Sequence, residues 1–146
     1  METATTAAPA ADFAAVLAGV HALGKGVIAP SADDVDAKAR FPREAFDALK
    51  KEQLLSAYVT PEYGGMGLTM TQICRICEVL AIYDASTAMV YAMHQIQVAC
   101  ILHHGQSSEY FRNYLRRLVD EQLLLASATT EIGVGGDLRT SKCCVE

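Results

Sequence analysis

The chain has 146 residues, 51% hydrophobic and 20% charged, with 12 Lys+Arg against 17 Asp+Glu for a formal net charge of −5. That length suits one ordinary domain able to bury a core without metal or disulfide staples, and the composition excludes an intrinsically disordered chain. The acidic balance argues against nucleic acid as a partner and excludes a whole-chain basic membrane patch, because both need a face of Lys and Arg.

Residues 1–11, rich in Ala, Thr and Pro, read as a flexible tail. They carry no basic n-region, and the early aspartates Asp12, Asp33, Asp34 and Asp36 fit a mitochondrial presequence poorly. With an odd number of cysteines, five, the expected setting is a reducing cytoplasm with free thiols. From Phe13, apolar residues recur at Val16, Leu17, Val20, Leu23, Val27 and Ile28, a period that predicts a helix. Pro30 is expected to end it, and residues 31–36 read as an acidic loop. Phe41-Pro42 opens a second helix with an Ala45, Phe46, Leu49 stripe that fades near Leu54-Leu55.

Four turn-forming residues, Pro61, Gly64, Gly65 and Gly67, predict a compact loop over residues 59–68. Thr69 or Thr71 then caps an apolar helix running to Tyr83. Being apolar nearly all round, that helix is expected to be central, with Cys74 and Cys77 buried in it as packing residues. No second ligand pair stands at zinc spacing, so no metal ligand is assigned. A second central helix follows the break at residues 84–86 and ends at His103-His104-Gly105. Neither central helix is expected to span a membrane, since the runs fall short of the ~20 residues a bilayer requires.

Ser107 or Ser108 caps a further helix with stripe Tyr110, Phe111, Tyr114, Leu115, Leu118 and an outer face of Arg112, Arg116 and Arg117, read as solvated. After Gln122 the composition changes. Residues 123–131 read as a buried strand, Gly133 to Gly136 as a glycine loop and residues 138–145 as another strand. The loop's successive N–H groups can cradle an anion, or simply turn the chain between strands. Its G-x-G-G spacing, with no helix following, is not a Rossmann fingerprint. His94, mid-helix among apolar residues, reads as a satisfied core histidine.

The order FP-x-E-x-F-x-x-L at Phe41, TPEYGGMGL at Thr60, two apolar helices, then TTEIGVGGD at Thr129 resembles the acyl-CoA dehydrogenase family from about Phe13 onward. The resemblance implies a mainly α fold: a multi-helix orthogonal bundle over residues 12–122, followed over residues 123–146 by the first strands of a truncated middle β-barrel domain. It further implies FAD as cofactor, contacted by Ser127, Thr129, Thr130, Gly133, Gly135 and Gly136, with Gly136 also at the mouth of the acyl-CoA site. Met89, Met93, His94 and Gln97 are candidates for the acyl channel by position, alongside a plain packing role. The implied reaction removes an α-proton by a carboxylate base and passes a hydride from the β-carbon to flavin N5. That base is expected beyond Glu146, so no catalytic residue is assigned, and the chain alone is expected to be inactive and to hold FAD weakly or not at all. Implied partners are an acyl-CoA, electron-transfer flavoprotein or a similar acceptor, and further copies of the full-length protein.

Two departures from the family pattern stand out: Gly136 replaces a usual serine and Ile132 a usual proline. The first keeps open a flavin-dependent monooxygenase or oxidase of the same fold. A non-enzymatic helical interaction module is the third reading.

Overall fold

Six α-helices, joined by tight turns, account for most of the computed structural model, which describes residues 12–128 and 131. The expected tail over residues 1–11 and most of the expected β-segment lie outside the described residues. Helix α1 (Phe13–Leu23) starts at Asp12, whose carboxylate accepts the Ala14 N–H at 3.1 Å. It passes through a π-helical turn at Gly24–Ile28 into α2 (Ala29–Ala37), one continuous run of 25 residues. The acidic loop expected at residues 31–36 is therefore helix. The wide turn, in which the Ala29 N–H reaches back to the Gly24 carbonyl, puts Pro30 in the first turn of α2, where a missing N–H costs little. Ser31 Oγ donates to the Val27 and Ile28 carbonyls at 3.2 and 3.0 Å. The acidic residues are served at the surface: Asp34 pairs with Lys38 at 2.5 Å and Arg40 at 2.7 Å.

Gly24 also lets the helix that ends at Tyr83 approach. A Cβ there would overlap the Tyr83 ring, whose hydroxyl hydrogen-bonds His21 Nδ1 at 3.0 Å. Helix α3 (Arg43–Lys51) buries Ala45, Phe46, Ala48 and Leu49, the stripe expected of it. After a 3₁₀ turn at Leu54–Ser56, the glycine-rich loop folds on itself through a second one at Pro61–Tyr63. Gly67 N–H donates to the Val59 carbonyl at 2.8 Å and Leu68 N–H to the Ala57 carbonyl at 2.9 Å. At Gly65 a Cβ would overlap the Val59 carbonyl, so this closure requires glycine.

Helix α4 (Met70–Tyr83) begins at a capping box: Thr69 Oγ1 accepts the Gln72 N–H, and Gln72 Oε1 accepts the Thr69 N–H at 2.8 Å. It is less central than its composition suggested. Ile73, Ile76, Val79 and Leu80 are buried, yet Ile82 is 70% exposed, Cys74 is exposed and Cys77 half-buried. Composition reports that a face is apolar, not that another element in the described residues covers it.

Helix α5 (Ala85–His104) is capped by Asp84, whose carboxylate accepts the Thr87 N–H at 2.8 Å. At 20 residues it exceeds the length expected of it. By length and composition, it and the Phe13–Ala37 run could cross a membrane. However, α5 buries Thr87, Tyr91, His94 and Gln95 against protein, as a core helix does. Helix α6 (Glu109–Glu121) buries Leu115, Leu118 and Val119. Tyr110, expected in its inner stripe, is 68% exposed and Phe111 is also exposed, because the packed face is centred one turn further along. Arg117 pairs with Glu121 at 2.7 Å on the outer face, while Arg116 lies 5.4 Å over the Tyr63 ring.

Residues 123–128 form no helix and pair in no ladder among the described residues, so the strand expected there has no described partner. The three leucines of this segment divide between two apolar clusters. Leu124 packs on one built from α1, α3, α4 and the start of α5; Leu123 and Leu125 pack on the other, around Val98, Leu102, Leu115 and Leu118.

Candidate cofactor and substrate site

The four channel candidates on α5 do not share one environment. Met89 and Met93 stand on its exposed face with Ile96, at spacings of four and three, and Gln97 is half-buried. Met89 borders a groove of about 470 Å³ between α4 and α5. Cys74, Cys77 and Ala81 line it from α4, and Ala85, Ala88 and Ala92 from α5. Its one charged lining residue, Glu78, is paired with Arg75 at 2.6 Å. Burial, with Cys74 nearby, pushes the Cys77 thiol up to about 11, so this sulfur is an apolar wall and not a nucleophile. Among the described residues no group of three or more His, Cys, Asp or Glu could hold a metal.

His94 lies on the opposite side of α5, fully buried. Its Nε2 is 2.7 Å from the Leu55 carbonyl, and its Nδ1 accepts the Leu125 N–H at 3.0 Å. Because a carbonyl only accepts and a backbone N–H only donates, the ring is neutral and carries its proton on Nε2. Burial pushes its pKa below the ordinary imidazole value, opposed by the bond to Leu55. With both nitrogens engaged, the ring presents no free polar atom to a ligand. This is the satisfied core histidine that its setting in the sequence suggested.

The same turn is gripped by residues the sequence did not single out. Tyr91 O–H and Gln95 Nε2 both donate to the Leu54 carbonyl, at 3.0 and 3.1 Å. Gln122 Oε1 accepts the Leu55 N–H at 3.1 Å, while its Nε2 donates to Ser56 Oγ and the Val119 carbonyl. These contacts hold Gln122 in a left-handed conformation, φ 48°, that turns the chain out of α6. The available signal was a polar stripe, Tyr91, His94 and Gln95, at spacings of three and four within an apolar helix.

Of the residues assigned to flavin, Ser127 is described. It is half-buried, two positions after Leu125 in the segment that leaves α6. Thr129, Thr130, Gly133, Gly135 and Gly136 lie outside the described residues. Ser127 supplies one hydroxyl donor, which fits a polar edge of the cofactor; the described residues supply no more of the donor set.

Residues 11–122 match the model of the acyl-CoA dehydrogenase N-terminal domain. The chain is 34% identical over 120 residues to a Mycobacterium leprae protein named "Probable acyl-CoA dehydrogenase fadE25", covering 82% of this chain and 31% of that one. It is 37% identical over 116 residues to cyclohex-1-ene-1-carbonyl-CoA dehydrogenase of Geobacter metallireducens, covering 79% and 30%. To mitochondrial isovaleryl-CoA dehydrogenase of Oryza sativa subsp. japonica it is 28% identical over 130 residues, covering 87% and 32%. The chain thus spans about a third of the length of these relatives. The matched helical architecture, capped and closed by the motifs described above, places this chain in the acyl-CoA dehydrogenase family.

Proposed function

We propose that this chain forms the N-terminal part of an FAD-dependent oxidoreductase that desaturates an acyl-CoA thioester between its α- and β-carbons. The observation that carries the reading is the apolar groove between α4 and α5, walled by Ala81, Ala85, Ala88, Met89 and Ala92, within a domain of this family. Such a wall suits a hydrocarbon chain: it excludes water from the acyl carbons and gives no hydrogen bond that a methylene could not return. In the family, bound FAD supplies the hydride acceptor. Ser127, Thr129, Thr130, Gly133, Gly135 and Gly136 would hold that cofactor's polar edge, while the helical domain supplies orientation and dryness. The proton-abstracting base is assigned to no residue of this chain, and electron-transfer flavoprotein or a similar acceptor would reoxidise the flavin. We assign the chain to the cytoplasm.

The test is a titration of the ¹⁵N-labelled chain with octanoyl-CoA, isovaleryl-CoA and free CoA. Amide shifts concentrated at Ala81, Ala85, Met89 and Ala92, produced by either thioester and not by free CoA, are expected. Groove resonances that stay in place with both thioesters overturn the assignment. In parallel, the chain should show no tight, stoichiometric flavin binding; a yellow, turnover-competent preparation overturns that expectation.

A further inference from the structure

The groove between α4 and α5 gathers sulfur. Cys74 and Cys77 line it from α4 and Met89 from α5, and the rest of its wall is alanine except for Glu78. Cys74 and Cys77 stand three residues apart on one helix, which puts them on the same face with Cβ atoms about 5–6 Å apart. Cys74 is near enough that its charge helps to push the Cys77 thiol up. That spacing is too long for a disulfide, whose Cβ atoms lie about 3.8 Å apart. It suits two sulfurs on opposite sides of one metal ion: with metal–sulfur bonds of about 2.3 Å, the length thiolates make to zinc, the sulfurs stand up to about 4.6 Å apart. Cys100 is exposed as well, but it lines a separate depression with His104 and Phe111 that holds no second cysteine.

We propose that Cys74, Cys77 and Met89 form a site for a soft monovalent metal ion, copper(I), held by two thiolates and one thioether. Thiolate and thioether are the donors that select copper(I). Zinc takes four ligands, and the alanines beside these sulfurs have no donor to offer it. The one carboxylate in the lining, Glu78, is a hard ligand already paired with Arg75 at 2.6 Å. Met89 is 63% exposed, so its side chain turns toward the thiols without breaking core packing. Burial favours the protonated thiol of Cys77 in the metal-free chain, but a thiol that coordinates a metal is deprotonated outright. Binding therefore releases two protons to solvent and leaves the copper at +1, with no oxidant or reductant consumed. The site stands on the sulfur arrangement and does not rest on the acyl-CoA reading of the groove.

The full chain carries two further adjacent thiols, Cys143 and Cys144, so the test is made in a full-length background with Cys100→Ser, Cys143→Ser and Cys144→Ser. Copper(I) is added without oxygen to this reduced protein, in competition with a chromophoric copper(I) chelator. One equivalent should bind. Adding Cys74→Ser or Cys77→Ser should weaken binding by more than about a hundredfold, since partners outside the ligand set alone account for about 10–100-fold in metal affinity. Met89→Leu should weaken it by about tenfold. Affinity that survives the loss of either cysteine overturns the proposal, as does zinc(II) binding to this background as tightly as copper(I). Should the cysteine variants fold poorly, the background chain decides by NMR. Copper(I) is diamagnetic, so the Met89 methyl resonance should move on binding, while that of Met93, which does not line the groove, stays. A Met89 methyl that stays in place overturns the three-sulfur site. None of these readouts involves a thioester, so a failed acyl-CoA assignment and a failed copper site are distinguishable.

Discussion

A neutral imidazole has one donor and one acceptor, and His94 commits both to backbone atoms inside the core. Protonating Nδ1 would set a new N–H against the Leu125 N–H in a site that already disfavours charge, which is why the folded-state pKa lies below its ordinary value. The sign of the pH dependence follows. As pH falls, the unfolded chain takes up this proton first, at about 6.5. The stability contributed by neutral His94 is complete above that value and declines as pH falls through it, until the folded state titrates as well. The slope for one proton is at most about 1.4 kcal/mol per pH unit. Urea unfolding at pH 7.5 and 5.5 should show a larger loss for the unsubstituted chain than for His94→Asn; His21, His103 and His104 are common to both and cancel. Equal losses would place the His94 proton equilibrium outside this range. The burial of His94 was legible from its apolar helical neighbours, but its partners were not: both are backbone atoms, and backbone atoms leave no trace in residue identity. Gln122 was invisible for a different reason: three of its partners sit in the turn at residues 53–56, far away in the sequence, and nothing in residue identity pairs them.

Caps are where the sequence speaks most directly about an element, because one side chain answers one group of orphaned N–H donors. Thr69 and Thr71 were equal candidates for the start of α4 until Gln72 entered: only Thr69 has a glutamine three residues on, and the reciprocal pair forms. Thr69→Ala should therefore cost about 1 kcal/mol in the urea midpoint. Thr71→Ala, on the exposed side of the first turn, should cost nothing and can gain a few tenths from helix propensity. Equal effects would mean the box contributes no stability. Proline was the less reliable signal. Pro30 read as a terminator because proline in a regular helix removes an i−4 bond, yet the π-turn immediately before it resets the bonding pattern and α2 continues to Ala37. Nothing local announces that turn except Gly24, whose missing Cβ is explained by the ring of Tyr83, far along the chain at the end of α4. Tyr110 and Cys74 show the converse limit, since an apolar residue at helical spacing can stand on a face that no described element covers.

At the scale of the whole molecule, the family and the helical fold were legible from motif order, whereas the division of the interior into two clusters was not. One cluster gathers α1, α3 and α4 around Phe46, Leu49, Ile76 and Leu80; the other gathers Leu115 and Leu118 of α6 with Val98 and Leu102. Separate clusters need not mean separate folding units. Helix α5 enters the first through Ala88 and Tyr91 and the second through Val98 and Leu102, and Tyr58 packs on both. Between them lies the Leu54–Ser56 turn, held by α5 through Tyr91, His94 and Gln95 and by the end of α6 through Gln122. Opening one cluster alone would remove partners from polar groups that stay buried in the other, at about 1–3 kcal/mol for each group left buried and unpaired. That penalty favours a single cooperative transition. Leu49→Ala and Leu115→Ala, both at fully buried sites in different clusters, should each cost about 2–5 kcal/mol. The decisive measurement is native-state hydrogen exchange. In Leu115→Ala, the slowest amides of α3 should accelerate by the same factor as those of α6, because both exchange through global unfolding. Acceleration confined to α6, with α3 unchanged, would show that the clusters open independently and that the buried polar turn does not couple them.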